Sequence, residues 1–127
     1  MESTSQLRYI IDDRYYFREK IVSQLKKELI MATHDTYRTN DGRYYFSFIF
    51  ENKGGYYMAH IASQPSYGSR ASDLHSTHRL SSDYSGCSYR ICFGNDNDVP
   101  TLSRVRKYAE AWSEATAKYI DTGIKFG

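Results

Sequence analysis

Proline and cysteine are scarce here: two of each in 127 residues. The two cysteines, Cys87 and Cys92, stand five positions apart, a poor basis for a disulfide framework. Reduced thiols in a cytoplasmic protein are expected instead. Charge of one sign is also lacking. The net charge of +2 is too small to argue for nucleic acid, which needs a basic stripe rather than a slight surplus. No apolar run approaches the ~20 residues of a membrane span. The start, MESTSQLRYIIDD, has neither a basic opening nor an apolar segment, so no secretory leader is expected. There is no GxxxxGK phosphate loop, no GxGxxG, no HExxH and no GxSxG, which removes support for ordinary nucleotide and hydrolase chemistry. No repeat and no low-complexity linker is visible.

What is abundant is tyrosine, with thirteen residues. Many such rings must sit half in a core and half in water, a state common at binding surfaces. Length and composition suit one globular domain over 1–127, large enough to bury a core without staples.

Patterning gives the elements. Over about 13–31, Phe17, Ile21, Val22, Leu25 and Leu29 recur at three- and four-residue steps, predicting an amphipathic helix. THDTYRTNDG breaks that pattern, and Asn40-Asp41-Gly42 reads as a turn. RYYFSFIF (43–50) and GYYMAHIA (55–62) alternate as strands around ENKGG, predicting a hairpin. From 63 to 88 the chain is polar and aperiodic, with short strands expected near 78–80 and 89–93. Residues 101–120 form a second helix: Leu102, Val105, Ala109, Trp112, Thr116 and Tyr119 make its stripe, Thr101 its N-cap and Gly123 its C-cap. The expectation is an α+β domain: N-terminal helix, antiparallel meander sheet of four strands, long loop, C-terminal helix.

Four constellations carry candidate chemistry. His75, His78, Cys87 and Cys92 supply zinc-competent ligands, but CxxxxC fits no standard knuckle, and His75 reads as readily as an exposed loop histidine and Cys87 as a loop thiol beside Gly86. Cys92 closes a strand before a polar loop, a place suited to a reactive thiol. Ile-Cys-Phe reads equally as three buried residues. Asp96 and Asp98 can serve as general bases or simply as charges before a helix. Finally Arg70, Arg79, Arg90 and Arg104, amid Tyr84 and Tyr89, can hold an anion if they converge. A scattered, solvated set is the plainer reading.

The order His78-Arg79-Leu80, a glycine-containing turn, Arg90-Ile91-Cys92-Phe93, then a loop and a tryptophan-bearing helix resembles the ubiquitin-conjugating (E2) and RWD-like family in its short bacterial form. Those two motifs and the ending AWSEATAKYIDTGIKF carry the resemblance, over about 14–126. It implies that Cys92 accepts a ubiquitin-like protein as a thioester from an E1-like enzyme, that His78 braces the loop, and that Asp96 or Asp98 orients the attacking lysine. No cofactor is implied. Leu80 stands where the family has its asparagine and cannot donate a hydrogen bond. SSDYSGCSY lengthens the gap between His78 and Cys92, and only Pro65 remains of the family's proline segment. The competing reading is a non-catalytic binding protein, capturing a protein or an anionic ligand through its Arg/Tyr-rich loop. A third is a zinc-stabilised interaction domain.

Overall fold

A computed structural model describes residues 20–21, 32–95 and 98–126. The helix expected over 13–31 lies outside these residues except at Lys20 and Ile21, both helical. The chain divides into compact units Met1–Met31 and Ala32–Gly127, and the sheet belongs to the second.

That unit is α+β. Its strands are β1 (Ala32–Arg38), β2 (Tyr45–Asn52), β3 (Tyr57–Ser63), β4 (Arg79–Ser81) and β5 (Tyr89–Ile91). A single helical turn, α1 (Leu74–Thr77), precedes β4, and α2 (Leu102–Thr122) follows β5. All pairings are antiparallel, in the order β1-β2-β3-β5-β4. The sheet therefore has five strands rather than the expected four. The additional strand is β1, whose ATHDTYR offers little apolar alternation because it is an edge with mostly half-exposed side chains. The β2–β3 hairpin forms where alternation predicts it. Lys53 N–H donates to the Tyr56 carbonyl at 2.8 Å, closing a loop in which Gly54 takes φ +88°.

Alternation in β2 aims Phe46, Phe48 and Phe50 at α2, all nearly inaccessible to water. Trp112 meets Phe46 and Phe48 edge-on, with ring centroids 5.7 and 6.1 Å apart, the arrangement that aromatic quadrupoles favour. Ala59, Ile61, Ile91, Val99, Val105 and Ala109 complete this core. The α2 stripe is the expected one, and both its caps are as predicted. Thr101 accepts from Arg104 N–H, and Gly123, at φ +75°, donates to the Tyr119 carbonyl. Arg70 closes the same helix end, donating to the Ile120 and Asp121 carbonyls at 3.2 Å each.

On the opposite face of the sheet His60 is fully buried. Its Nδ1 lies 2.7 Å from Ser82 Oγ and its Nε2 3.0 Å from Glu51 Oε1, while Tyr84 stacks on the ring at 4.9 Å. These contacts tie the β4–β5 hairpin to β2 and β3. Among the described residues no helix is long and apolar enough to cross a membrane.

Candidate functional site

The polar stretch after β3 is organised by Arg79, which is only 6% exposed. Its Nε donates to Thr77 Oγ1 at 2.8 Å, Nη2 to the Ser72 carbonyl at 2.7 Å and Nη1 to Gln64 Oε1 at 3.3 Å. Its guanidinium lies over the Tyr89 ring at 4.0 Å and the Tyr67 ring at 4.9 Å. Five partners from four segments thus converge on one planar cation. Asp73 caps α1, its carboxylate accepting from Ser76 N–H at 3.0 Å, and this bond holds the carboxyl below its usual value.

The turn ends at His78, the one non-glycine residue with positive φ among those described, at φ 51° and ψ 46°. Such a backbone costs free energy that its surroundings must offset. Its N–H donates to the His75 carbonyl at 3.3 Å, and its carbonyl accepts from Cys92 N–H at 2.9 Å. Its ring stacks on Phe126 at 4.8 Å. Next to it, the Thr77 carbonyl accepts from Trp112 Nε1 at 3.1 Å. Three contacts therefore hold the histidine, a fourth holds its neighbour Thr77, and the Cys92 backbone is fixed to the histidine.

Cys92 lies one residue past β5, a free and half-buried thiol. It opens on a groove of about 370 Å³ to which His78 and Asp98 also contribute, walled by Phe93, Tyr108, Trp112 and Phe126. Three of the four residues singled out for catalysis, distant in sequence, thus line one groove. The fourth, Asp96, lies outside the described residues. Asp98 is exposed, and its carbonyl is 3.5 Å from Arg104 Nη1.

Cys87 is a loop thiol beside Gly86, as expected, and it is buried, which pushes its pKa up. A thiol held protonated is a poor nucleophile. Nor do the zinc-competent residues come together: among the described residues no three His, Cys, Asp or Glu side chains form a cluster able to hold a metal. His75 is exposed on α1.

The Arg/Tyr set is dispersed. Arg70 serves the end of α2, Arg79 the interior of the loop, and Arg104 the entry to α2. Tyr84 stacks on His60, and Tyr89 on Arg79. Arg90 pairs across from His60 in the sheet register. Missed in the sequence were the aromatic walls. Trp112 reads there as core alone, and Tyr108 and Phe126 carry no pattern. Tyr108, Ala111, Trp112 and Ala115 do lie at i, i+3, i+4 and i+7, one face of a helix, and that spacing was the available signal.

Comparison with known proteins gives no match. Neither a family model, nor a curated protein, nor a solved structure is significantly similar to this chain.

Proposed function

We propose that this protein is a thiol acyl carrier of the ubiquitin-conjugating type. Cys92 takes the C-terminus of a ubiquitin-like protein from an E1-like enzyme as a thioester and passes it to an amine. The reading rests on one observation above the others: the only half-exposed cysteine stands in a groove with His78 and Asp98. Rigid neighbours hold its backbone, as a nucleophile requires.

The chain's residues divide the work as follows. The Cys92 thiolate attacks the acyl carbonyl and later leaves when the amine attacks. His78 acts through its backbone, setting the position of Cys92 N–H. Asp98, on the groove wall, can orient an approaching ammonium and accept its proton. No side chain at Leu80 donates to the oxyanion, so backbone N–H groups near Cys92 are left to serve.

The test is a charging reaction with an E1-like adenylating enzyme, ATP and its ubiquitin-like protein. A thiol-sensitive adduct is expected on the wild-type chain and on Cys87→Ala, and none on Cys92→Ala. An adduct that survives Cys92→Ala overturns the proposal.

A further inference from the structure

The sheet face away from α2 carries a second group of polar side chains in contact. Ser82 directly follows β4. Its Oγ lies 2.7 Å from His60 Nδ1, and His60 Nε2 lies 3.0 Å from Glu51 Oε1. An ionised carboxylate only accepts, so the proton between His60 and Glu51 sits on Nε2. In the neutral ring Nδ1 is then bare and accepts from the Ser82 hydroxyl. Tyr84 N–H donates to the same Ser82 Oγ at 3.1 Å, which leaves the hydroxyl proton for the ring. Lys53 Nζ stands 3.5 Å from Glu51 Oε1 and balances its charge. The histidine is fully buried, with the Tyr84 ring stacked on it, whereas Ser82 and Glu51 remain half-exposed. A nucleophile on a base, with the base oriented by a third group, is the arrangement that activates a weak hydroxyl.

We propose that Ser82 is a second nucleophile of this protein, attacking activated acyl esters, with His60 its general base and Glu51 the positioning residue. Ser82 Oγ bonds to the carbonyl carbon as His60 Nδ1 takes the hydroxyl proton. The ester C–O bond breaks, and the leaving alcohol departs with that electron pair and takes the proton from His60. Water then attacks the acyl-serine through the same base, which frees the acid and restores the hydroxyl. The Ser82 N–H is engaged by the Ser88 carbonyl, and the Tyr84 N–H by Ser82 itself. Neither is left to cradle an oxyanion. The substrate class is therefore esters with a good leaving group, aryl esters among them. Cys92 has no part in this site.

A fluorophosphonate is the first probe, because it phosphonylates activated serines and releases fluoride. Peptide mass mapping of the folded full chain should place the adduct on Ser82, with its exposed neighbour Ser81 unmodified. His60→Gln should slow labelling about a hundredfold. Glu51→Gln should slow it about tenfold or more. The urea midpoint of each variant is measured beside its labelling rate, and where His60→Gln does not fold, Glu51→Gln decides. Nitrogen NMR of the His60 ring should show the proton on Nε2 in the wild-type chain and a mixture of tautomers in Glu51→Gln, which a merely structural carboxylate would not produce. The second probe is p-nitrophenyl acetate, used on the Cys92→Ala chain so that no thiol at that position competes. Its nitrophenol release should fall to the spontaneous rate when Ser82→Ala is added. Three results overturn the proposal: no adduct on Ser82, labelling unchanged in folded Glu51→Gln, or nitrophenol release that Ser82→Ala leaves as it was. A His60 ring protonated at Nδ1 alone overturns it as well.

Discussion

Replacing Arg79 by methionine tests how the loop that precedes the site is held. The guanidinium is 6% exposed and makes two short hydrogen bonds, to Thr77 Oγ1 at 2.8 Å and the Ser72 carbonyl at 2.7 Å. A hydrogen bond to a charged group contributes about 1.5 kcal/mol or more, so the pair is worth roughly 3 kcal/mol. The contacts with Tyr67 and Tyr89 add about 0.5–1 kcal/mol each. Against this, the variant no longer desolvates a cation, which returns a third of the total, on the order of 1–2 kcal/mol. Ser72 and Gln64 can turn to water, being exposed and half-exposed, but fully buried Thr77 cannot. The net loss is about 3 kcal/mol. At 127 residues that lowers the melting temperature by roughly 10 °C. Urea unfolding followed by tyrosine and tryptophan fluorescence measures it. Arg79→Lys should recover less than half, because an ammonium cannot reproduce the planar fork. A loss below about 1 kcal/mol for Arg79→Met would refute the idea that this cation organises the loop.

Other consequences are as definite. Trp112→Phe keeps an aromatic ring against Phe46 and Phe48 but leaves the buried Thr77 carbonyl without its donor, and should cost about 2 kcal/mol in urea unfolding. Asp41 is held at about 2, first by the Arg43 backbone N–H and then by the Thr39 hydroxyl and the Arg43 side chain, against an ordinary 3.8. Its pKa is lowered on folding, so its contribution is full above 3.8 and disappears as pH falls to about 2. Carboxyl-carbon NMR titration of Asp41 reads this directly, and a midpoint near the ordinary value contradicts it. Tyr37, with its phenol partly buried and donating to Glu114 at 2.7 Å, is raised to about 12 from 10.0. The folded state keeps that proton longer, so its contribution holds below pH 10.0 and is lost on the way to about 12. Ultraviolet titration with Tyr37→Phe as control should show one late phenol disappear.

The parts of this fold that could be read in advance are those in which one side chain after another repeats a local rule. Phe46, Phe48 and Phe50 alternate, so β2 is visible. Val105, Ala109, Trp112 and Thr116 step by three and four, so α2 is visible, together with the caps Thr101 and Gly123. β1 was hidden because Thr33, His34, Asp35 and Thr36 say nothing of burial. The strand exists through its ladder to β2, and Asp35 is engaged by Arg106 at 2.7 Å, both contacts remote in sequence. The serine-rich stretch looked structureless for the same reason: its order comes from Arg79, which draws on residues 64, 67, 72, 77 and 89 at once. Within the candidate site, Cys92 and His78 were recognisable as types in a suggestive order. The end of a strand already favoured Cys92 over Cys87, but the burial of Cys87 was not legible, because the neighbouring letters Ser85, Gly86 and Ser88 are polar or small and say nothing of it. The aromatic walls were concealed too, since a tryptophan that bounds a groove also contributes to the stripe of a core helix.

The most direct test of the central claim compares the two thiols in the folded protein. Native iodoacetamide labelling, quenched over time and resolved by peptide mass, should modify Cys92 at least tenfold faster than Cys87, whose burial holds it protonated. Unfolding in urea should erase the difference. Equal slow labelling of both in the native state, with both modified only in urea, would contradict a carrier built on Cys92.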